Sequence, residues 1–154
     1  NAKQILVSEL VLTEHATQDE IENIVKFGDN DKLSAIVAAL VDADLLIILS
    51  DIDGFYDSNP NENPDAKFIE EIDEVTEELF YKVLESANNT YHKYYLEYLD
   101  TGGMITKLAA AKIAAKYNVD MILANGENPQ ILREILNGKN IGTLFKGKNK
   151  KGFY

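Results

Sequence analysis

The chain has 154 residues, 45% of them hydrophobic, which is enough to bury the core of one compact domain or of part of a larger one. Its 26 acidic residues against 15 basic ones leave a formal charge of −11. That excess excludes a binder of nucleic-acid backbones, because such affinity rests on clustered Lys and Arg, but leaves room for a small phosphate site served by one or two cations. There is no cysteine, so disulfides, thiolate catalysis and thiolate metal sites are excluded as well.

Residues 4–13, Gln-Ile-Leu-Val-Ser-Glu-Leu-Val-Leu-Thr, suit a strand or a short apolar helix. Glu14 to Lys26 is polar and carries Ile21, Ile24 and Val25 at helical spacing. No basic segment followed by an apolar run opens the chain, so no signal peptide is expected. The longest apolar stretches, Ile36–Val41 and Leu45–Leu49, fall far short of a membrane span, and the cytoplasm is the expected location.

Phe27-Gly28-Asp29-Asn30-Asp31 reads as a turn, with Asp31 as the N-cap of the helix that follows. From Lys32 to Ala43 the apolar positions Leu33, Ile36, Val37, Leu40 and Val41 trace one face of an amphipathic helix. Leu45–Leu49 is a continuous apolar run ending at Ser50-Asp51, the pattern of a parallel strand covered on both faces. Asp53-Gly54 signals a turn, and residues 58–65 are loop-like by composition. Phe68-Ile69 suits a short strand, and Val75 to Ala87 suits a helix.

Tyr91, Tyr94, Tyr95 and Tyr98 fall on one helical stripe, which more often packs on a core or a partner chain than stacks on bases. Thr101-Gly102-Gly103-Met104-Ile105-Thr106-Lys107 is a glycine turn leading into an alanine-rich helix, Lys107–Tyr117. Met121–Ala124 is a second buried strand, closed by Asn125-Gly126. Asn128-Pro129 starts a helix over Gln130–Leu136 that Gly138 ends, Ile141–Phe145 is a final strand, and the basic tail reads as frayed. This alternation predicts an α/β fold, a mainly parallel sheet sandwiched between helices.

Three places fit a ligand site in such a fold: Ser50-Asp51 at a strand end, and the turns 28–31 and 101–107 at helix starts. At the last of these, two glycines let backbone N–H groups approach an anion without Cβ obstruction. The helix N-terminus adds unpaired donors and partial positive charge, Thr101 and Thr106 add hydroxyls, and Lys107 adds a full cation. The same residues also suit a plain turn with a solvated lysine, and the spacing does not choose between the two. Gly28–Asp31 is open in the same way, between orienting a substrate through Asn30 and acting as turn and cap. His15 and His92 show no ligand spacing, and no metal-ligand set is read from the chain.

Together these segments resemble the amino-acid kinase family. The likeness rests on Phe27–Ala35, Leu49–Tyr56, the segment from Asn59-Pro60 to Ala66, Thr101–Lys107 and Ile141–Phe145, which occur in family order across roughly residues 26–146. The resemblance implies transfer of the ATP γ-phosphoryl group to the side-chain carboxylate of L-glutamate, giving glutamyl 5-phosphate for proline biosynthesis. It implies that Asn30 contacts glutamate, and that Ser50, Asp51, Thr101, Gly102, Gly103, Met104, Ile105, Thr106 and Lys107 bind ATP. It also implies that Lys107 and Asp29 serve the chemistry, Lys107 by neutralising phosphate charge, while Asp29, Asp31 and Asp51 organise the site. Mg²⁺ is expected with ATP, because phosphoryl transfer between anions relies on positioning and charge neutralisation.

The chain departs from the family at several points, among them the missing Asn-Asp element upstream of the 28–31 turn, near which Asp19 lies but is offset. The family's opening Lys-x-Gly-Ser loop and its glycine- and serine-rich glutamate loop have no match, Tyr81–Leu99 diverges, and Asp100 stands where glycine usually precedes Thr101. The resemblance is therefore to the C-terminal, nucleotide-binding half. Residues 1–26 are expected as a divergent segment, 27–146 as the nucleotide-binding domain and 147–154 as a tail. Expected partners are L-glutamate and ATP, with a homo-oligomer or a complementing N-terminal half completing the site. The alternative is a nucleotide-binding fragment or engineered module without turnover by itself.

Overall fold

This computed structural model describes residues 4–5, 30–60, 63–86 and 103–148. The helix expected before Lys26, the turn through Asp29, the tyrosine stripe Tyr91–Tyr98, and Asp100, Thr101 and Gly102 lie outside the described residues.

The described chain forms β1 (Gln4–Ile5), α1 (Asn30–Leu40), β2 (Leu45–Ser50), β3 (Phe55–Tyr56), β4 (Phe68–Ile69) and β5 (Glu71–Ile72), then α2 (Glu77–Ser86), α3 (Met104–Lys116), β6 (Asp120–Asn125), α4 (Ile131–Leu136) and β7 (Thr143–Phe145). Five strands make one sheet in the order β1-β2-β6-β7-β5. The pairs β1/β2, β2/β6 and β5/β7 are parallel, while β7 runs antiparallel to β6. The sheet is thus mainly parallel, as the alternation of elements predicts. The reversal at β7 enters through Gly142, whose φ is +77° and whose added Cβ would stand 2.2 Å from the Leu123 carbonyl oxygen. Only glycine permits that approach.

Strand periodicity sorts the core into two layers. Leu46 and Ile48 of β2, with Met121 and Leu123 of β6, face α1, α2 and α3 through Ala35, Ala38, Phe80, Leu108 and Ala111. Leu45, Ile47, Ile122 and Ala124 point the other way, onto Ile135 of α4. Both faces are therefore covered, which is why the two strands read as unbroken apolar runs. Leu108 is fully buried, and its truncation to alanine removes about 2–5 kcal/mol of stability. The alanines Ala35, Ala38, Ala110, Ala111 and Ala114 are all buried, and their small side chains let α1 and α3 pack closely against each other.

The helix ends explain two misplaced boundaries. In α1 the chain turns at Asp42, φ +53°, with the Asp42 N–H on the Ala39 carbonyl and the Ala43 N–H on the Ala38 carbonyl. Asn118, φ +61°, ends α3 the same way, through Ala115 and Ala114. These are Schellman closures built on Asp and Asn, which tolerate the left-handed region, so α1 stops before Ala43 without a glycine. Gly138 closes α4 at the position expected of it.

The residues just after β7 correct part of a third expectation, a frayed tail over residues 146–151, of which 149–151 lie outside the described residues. Lys146, Gly147 and Lys148 do not fray: the Gly147 N–H donates to the buried Asp120 carboxylate at 2.7 Å, and the Lys148 N–H reaches the Ala115 carbonyl.

Candidate functional site

Short links fix where the helix starts fall. Four residues join α1 to β2 and three join α3 to β6, so each helix runs back along the strand it precedes. At about 1.5 Å per helical residue and 3.3 Å per strand residue, these elements match in length. The N-termini of α1 and α3 therefore lie toward the carboxyl edge of the parallel strands, the edge that carries Ser50 and Asn125.

At that edge α1 and α3 exchange side chains. Lys107 Nζ donates to Asp31 Oδ2 at 3.1 Å, and the two side chains are only 13% and 19% exposed. The Thr106 hydroxyl stands 3.0 Å from the same Asp31 oxygen and 2.8 Å from the Gly103 carbonyl, and its single proton serves one at a time. The Gly103 N–H in turn donates to Thr106 Oγ1 at 3.3 Å. Thr106 thereby caps α3 from inside its first turn, the reciprocal half of a capping box.

This geometry corrects two readings of the sequence. Asp31 is not an N-cap: α1 already begins at Asn30, and the Asp31 carboxylate instead accepts from Lys107 and Thr106. An ionised donor makes the stronger bond, so the cation across the helix pair wins over the local backbone. The second concerns the turn 101–107. Met104, Ile105, Thr106 and Lys107 form the first turn of α3, because the Thr106 cap starts the helix three residues before Lys107. The backbone N–H groups of Met104, Ile105 and Thr106 are those a helix leaves without intrahelical acceptors, while the Lys107 N–H donates to the Gly103 carbonyl at 3.4 Å.

The structure thus brings together Gly103, Met104, Ile105, Thr106 and Lys107 of α3 with Asn30 and Asp31 of α1. Asn30 is exposed at the α1 start, where its carbonyl accepts from the Ser34 hydroxyl at 2.7 Å. Ser50 and Asp51 stand at the end of β2, with the Ser50 hydroxyl 3.1 Å from Asp51 Oδ1. Asp29, Thr101 and Gly102 lie outside the described residues.

Reading the sequence missed the residues that hold the Ser50-Asp51 turn. Ser50 and Asn125 are register partners at the last rung of β2 and β6. The Gly126 N–H donates to the Ser50 carbonyl at 2.8 Å, and Asn125 Nδ2 donates to Asp53 Oδ1 at 3.0 Å. Further along, Thr143 is fully buried, accepts the Phe55 N–H at 2.8 Å and donates to the Ile69 carbonyl at 2.6 Å. The available signal was adjacency: two neighbouring buried strands must bring their terminal dipeptides side by side.

A mainly parallel sheet covered on both faces, with Lys107, Thr106 and two helix starts at the carboxyl edge of β2 and β6, is an α/β architecture whose ligands generally lie at that edge. Residues 6–125 match the model of the Amino acid kinase family, and the chain belongs to that family. It is 56% identical over 130 residues to a glutamate 5-kinase of Clostridium perfringens, covering 84% of this chain and 45% of that protein. A glutamate 5-kinase of Listeria monocytogenes is 49% identical over 133 residues, covering 86% and 45%. The chain thus spans about half the length of the curated relatives it matches. Among solved structures, isopentenyl phosphate kinase superposes with a TM-score of 0.51 at 22% identity, over 75% of this chain and 36% of that one, a likeness of fold. No helix among the described residues is long and apolar enough to cross a membrane.

Proposed function

We propose that this chain forms the nucleotide-binding half of a glutamate 5-kinase. The reaction transfers the γ-phosphoryl group of ATP to the side-chain carboxylate of L-glutamate. The bond from the γ-phosphorus to the β,γ-bridging oxygen breaks as one to the carboxylate oxygen forms, leaving ADP and glutamyl 5-phosphate. The observation that carries the reading is the Lys107–Asp31–Thr106 cluster at paired helix N-termini, within a chain half identical to glutamate 5-kinases.

Each residue then has a role its position supports. The first-turn N–H groups of α3 and the Lys107 ammonium meet phosphate oxygens, and Asp31 aims Lys107 while Thr106 fixes the start of the helix. Ser50 and Asp51 meet the nucleotide from the neighbouring strand end, and Asn30 meets glutamate. Asp29, next in sequence to Asn30, is assigned to the chemistry through the resemblance. No protein nucleophile is needed, because catalysis of this transfer is positioning and charge stabilisation.

The described residues hold no group of three or more His, Asp or Glu side chains fit to cage a metal. Mg²⁺ is assigned to the phosphates it arrives with, because at such sites substrate oxygens and one or two carboxylates serve it in place of an all-protein cage. The alternative reading, nucleotide binding without turnover by this chain, is favoured by Asp100. Its negative charge precedes Thr101 where glycine is usual.

Calorimetric titration of Mg-ATP into the folded chain tests the binding. Submillimolar affinity that falls at least tenfold in Lys107→Ala is expected, and absence of heat at millimolar ATP rejects the reading. Glutamate-dependent ADP release, lost in Lys107→Ala and Asn30→Ala, separates the kinase from the binding module.

A further inference from the structure

We propose that Asn125 is a positioning residue for the nucleotide, acting through the Ser50–Asp53 turn; this rests on the nucleotide-binding reading above. Neither hydrogen-bonding end of its amide is spent on the β2–β6 ladder. Nδ2 donates to Asp53 Oδ1 at 3.0 Å, and Oδ1 accepts the Glu127 N–H at 2.9 Å. One side chain therefore ties the turn after β2 to the turn after β6, just past the last register pair, Ser50 and Asn125.

The backbone beside it enforces the same approach. The Gly126 N–H holds the Ser50 carbonyl at 2.8 Å, and a Cβ added at Gly126 would meet the Leu49 Cβ at 2.9 Å. The far end of the β2 turn is pinned by Thr143 at the Phe55 N–H. The segment carrying Ser50 and Asp51 is thus fixed on both sides by residues from β6 and β7. Among the described residues, the Asn125–Asp53 bond is the one that fixes it from β6 or β7 through two side chains, an amide donor on a carboxylate. The type of each partner therefore matters, and so does which of the two carries it.

An exchange of partners gives the test. Asn125→Asp sets two carboxylates against each other and removes the donor, whereas Asn125→Asp combined with Asp53→Asn restores a donor and an acceptor with unchanged net charge. In the exchanged pair, the new Asp keeps an oxygen for the Glu127 N–H. Mg-ATP affinity is measured by calorimetry for the parent chain, Asn125→Ala, Asn125→Asp, Asp53→Asn and the exchange variant, with thermal unfolding confirming that each is folded. The loss of one bond to a charged group predicts a roughly tenfold weakening in Asn125→Ala and a larger one in Asn125→Asp. The exchange variant is expected to return to within about threefold of the parent, as the bond it restores is of the same kind.

Equal affinity in all variants, or an exchange variant no better than the sum of its parts, overturns the positioning role while leaving nucleotide binding intact. A parent chain that binds no Mg-ATP overturns the functional reading itself, and the role of Asn125 with it. Loss and rescue of Mg-ATP affinity among variants whose unfolding temperatures match the parent's is a readout that a merely structural contribution of Asn125 does not give.

Discussion

Lys107 and Asp31 are 76 residues apart in sequence, yet Nζ and Oδ2 stand 3.1 Å apart between the first turns of α3 and α1. The pair joins two helices whose facing surfaces are mostly alanine, so it is a polar contact at the edge of a close-packed seam. With side chains 13% and 19% exposed, it is neither a screened surface bridge nor a fully buried one.

Removing one partner of this pair should cost stability between those limits, about 1–3 kcal/mol. Lys107→Met keeps the methylene packing and strips the charge, and Asp31→Asn keeps an acceptor for Thr106. Urea unfolding of both single variants and the double variant is expected to give a coupling energy of about 1 kcal/mol. Strictly additive losses would show that the two groups are neighbours without interacting. Lys107→Met is also expected to weaken Mg-ATP, since it removes the ammonium carried by the first turn of α3.

Thr106 is 1% exposed, and its hydroxyl is the acceptor for the Gly103 N–H. Thr106→Val preserves the volume and abolishes the cap, at an expected cost of about 1–2 kcal/mol. Thr106→Ser retains the hydroxyl and loses a methyl group, so its Gly103 amide should stay protected from hydrogen exchange. Equal exchange at Gly103 in the two variants would contradict the cap.

Much of this architecture was legible in the residues. The unbroken runs Leu45–Leu49 and Met121–Ala124 announce strands covered on both faces, and Leu33 to Val41 announces the helix α1 but not its inner face: α1 buries Leu33, Ser34, Ala35 and Ala38, while Leu40 of the expected stripe is 74% exposed. What was not legible depends on distant partners. Asp31 looks like a cap because nothing local reveals Lys107, and Met104 looks like loop because its cap, Thr106, lies downstream of the glycine. The antiparallel entry of β7 follows from the room that Gly142 leaves at the Leu123 carbonyl, a contact between segments far apart in sequence. Thr143 reads as an ordinary strand residue until its hydroxyl is seen between Phe55 and Ile69.

That hydroxyl supports a separate expectation. Thr143→Val is nearly isosteric, but it leaves the Phe55 N–H without its buried acceptor and the Ile69 carbonyl without its donor. The expected cost is about 1–3 kcal/mol. The loss should concentrate at one place: the Phe55 amide should exchange faster relative to Leu46 and Ile122 in the core. Uniform acceleration would mean global destabilisation with no local role in holding the β3–β4 insert.

Lys146, just after β7, gives a pH dependence whose sign follows from its partners. Its ammonium bonds the Asp73 carboxylate at 2.7 Å and also that of Glu71. These hydrogen bonds, Asp73 first, raise its pKa from 10.5 to about 12. A pKa raised by folding means that the folded state holds the proton more tightly than the unfolded chain. The contribution is therefore fully present below the unfolded value of 10.5 and is lost as pH rises through about 12. Lys146→Met keeps most of the stem and has no proton to lose. The difference in unfolding temperature between parent and variant should hold steady from about pH 7 to 10, then close as the lysine titrates. A gap that stays constant through that alkaline window would place the stabilisation in packing of the lysine stem, with none in its charge.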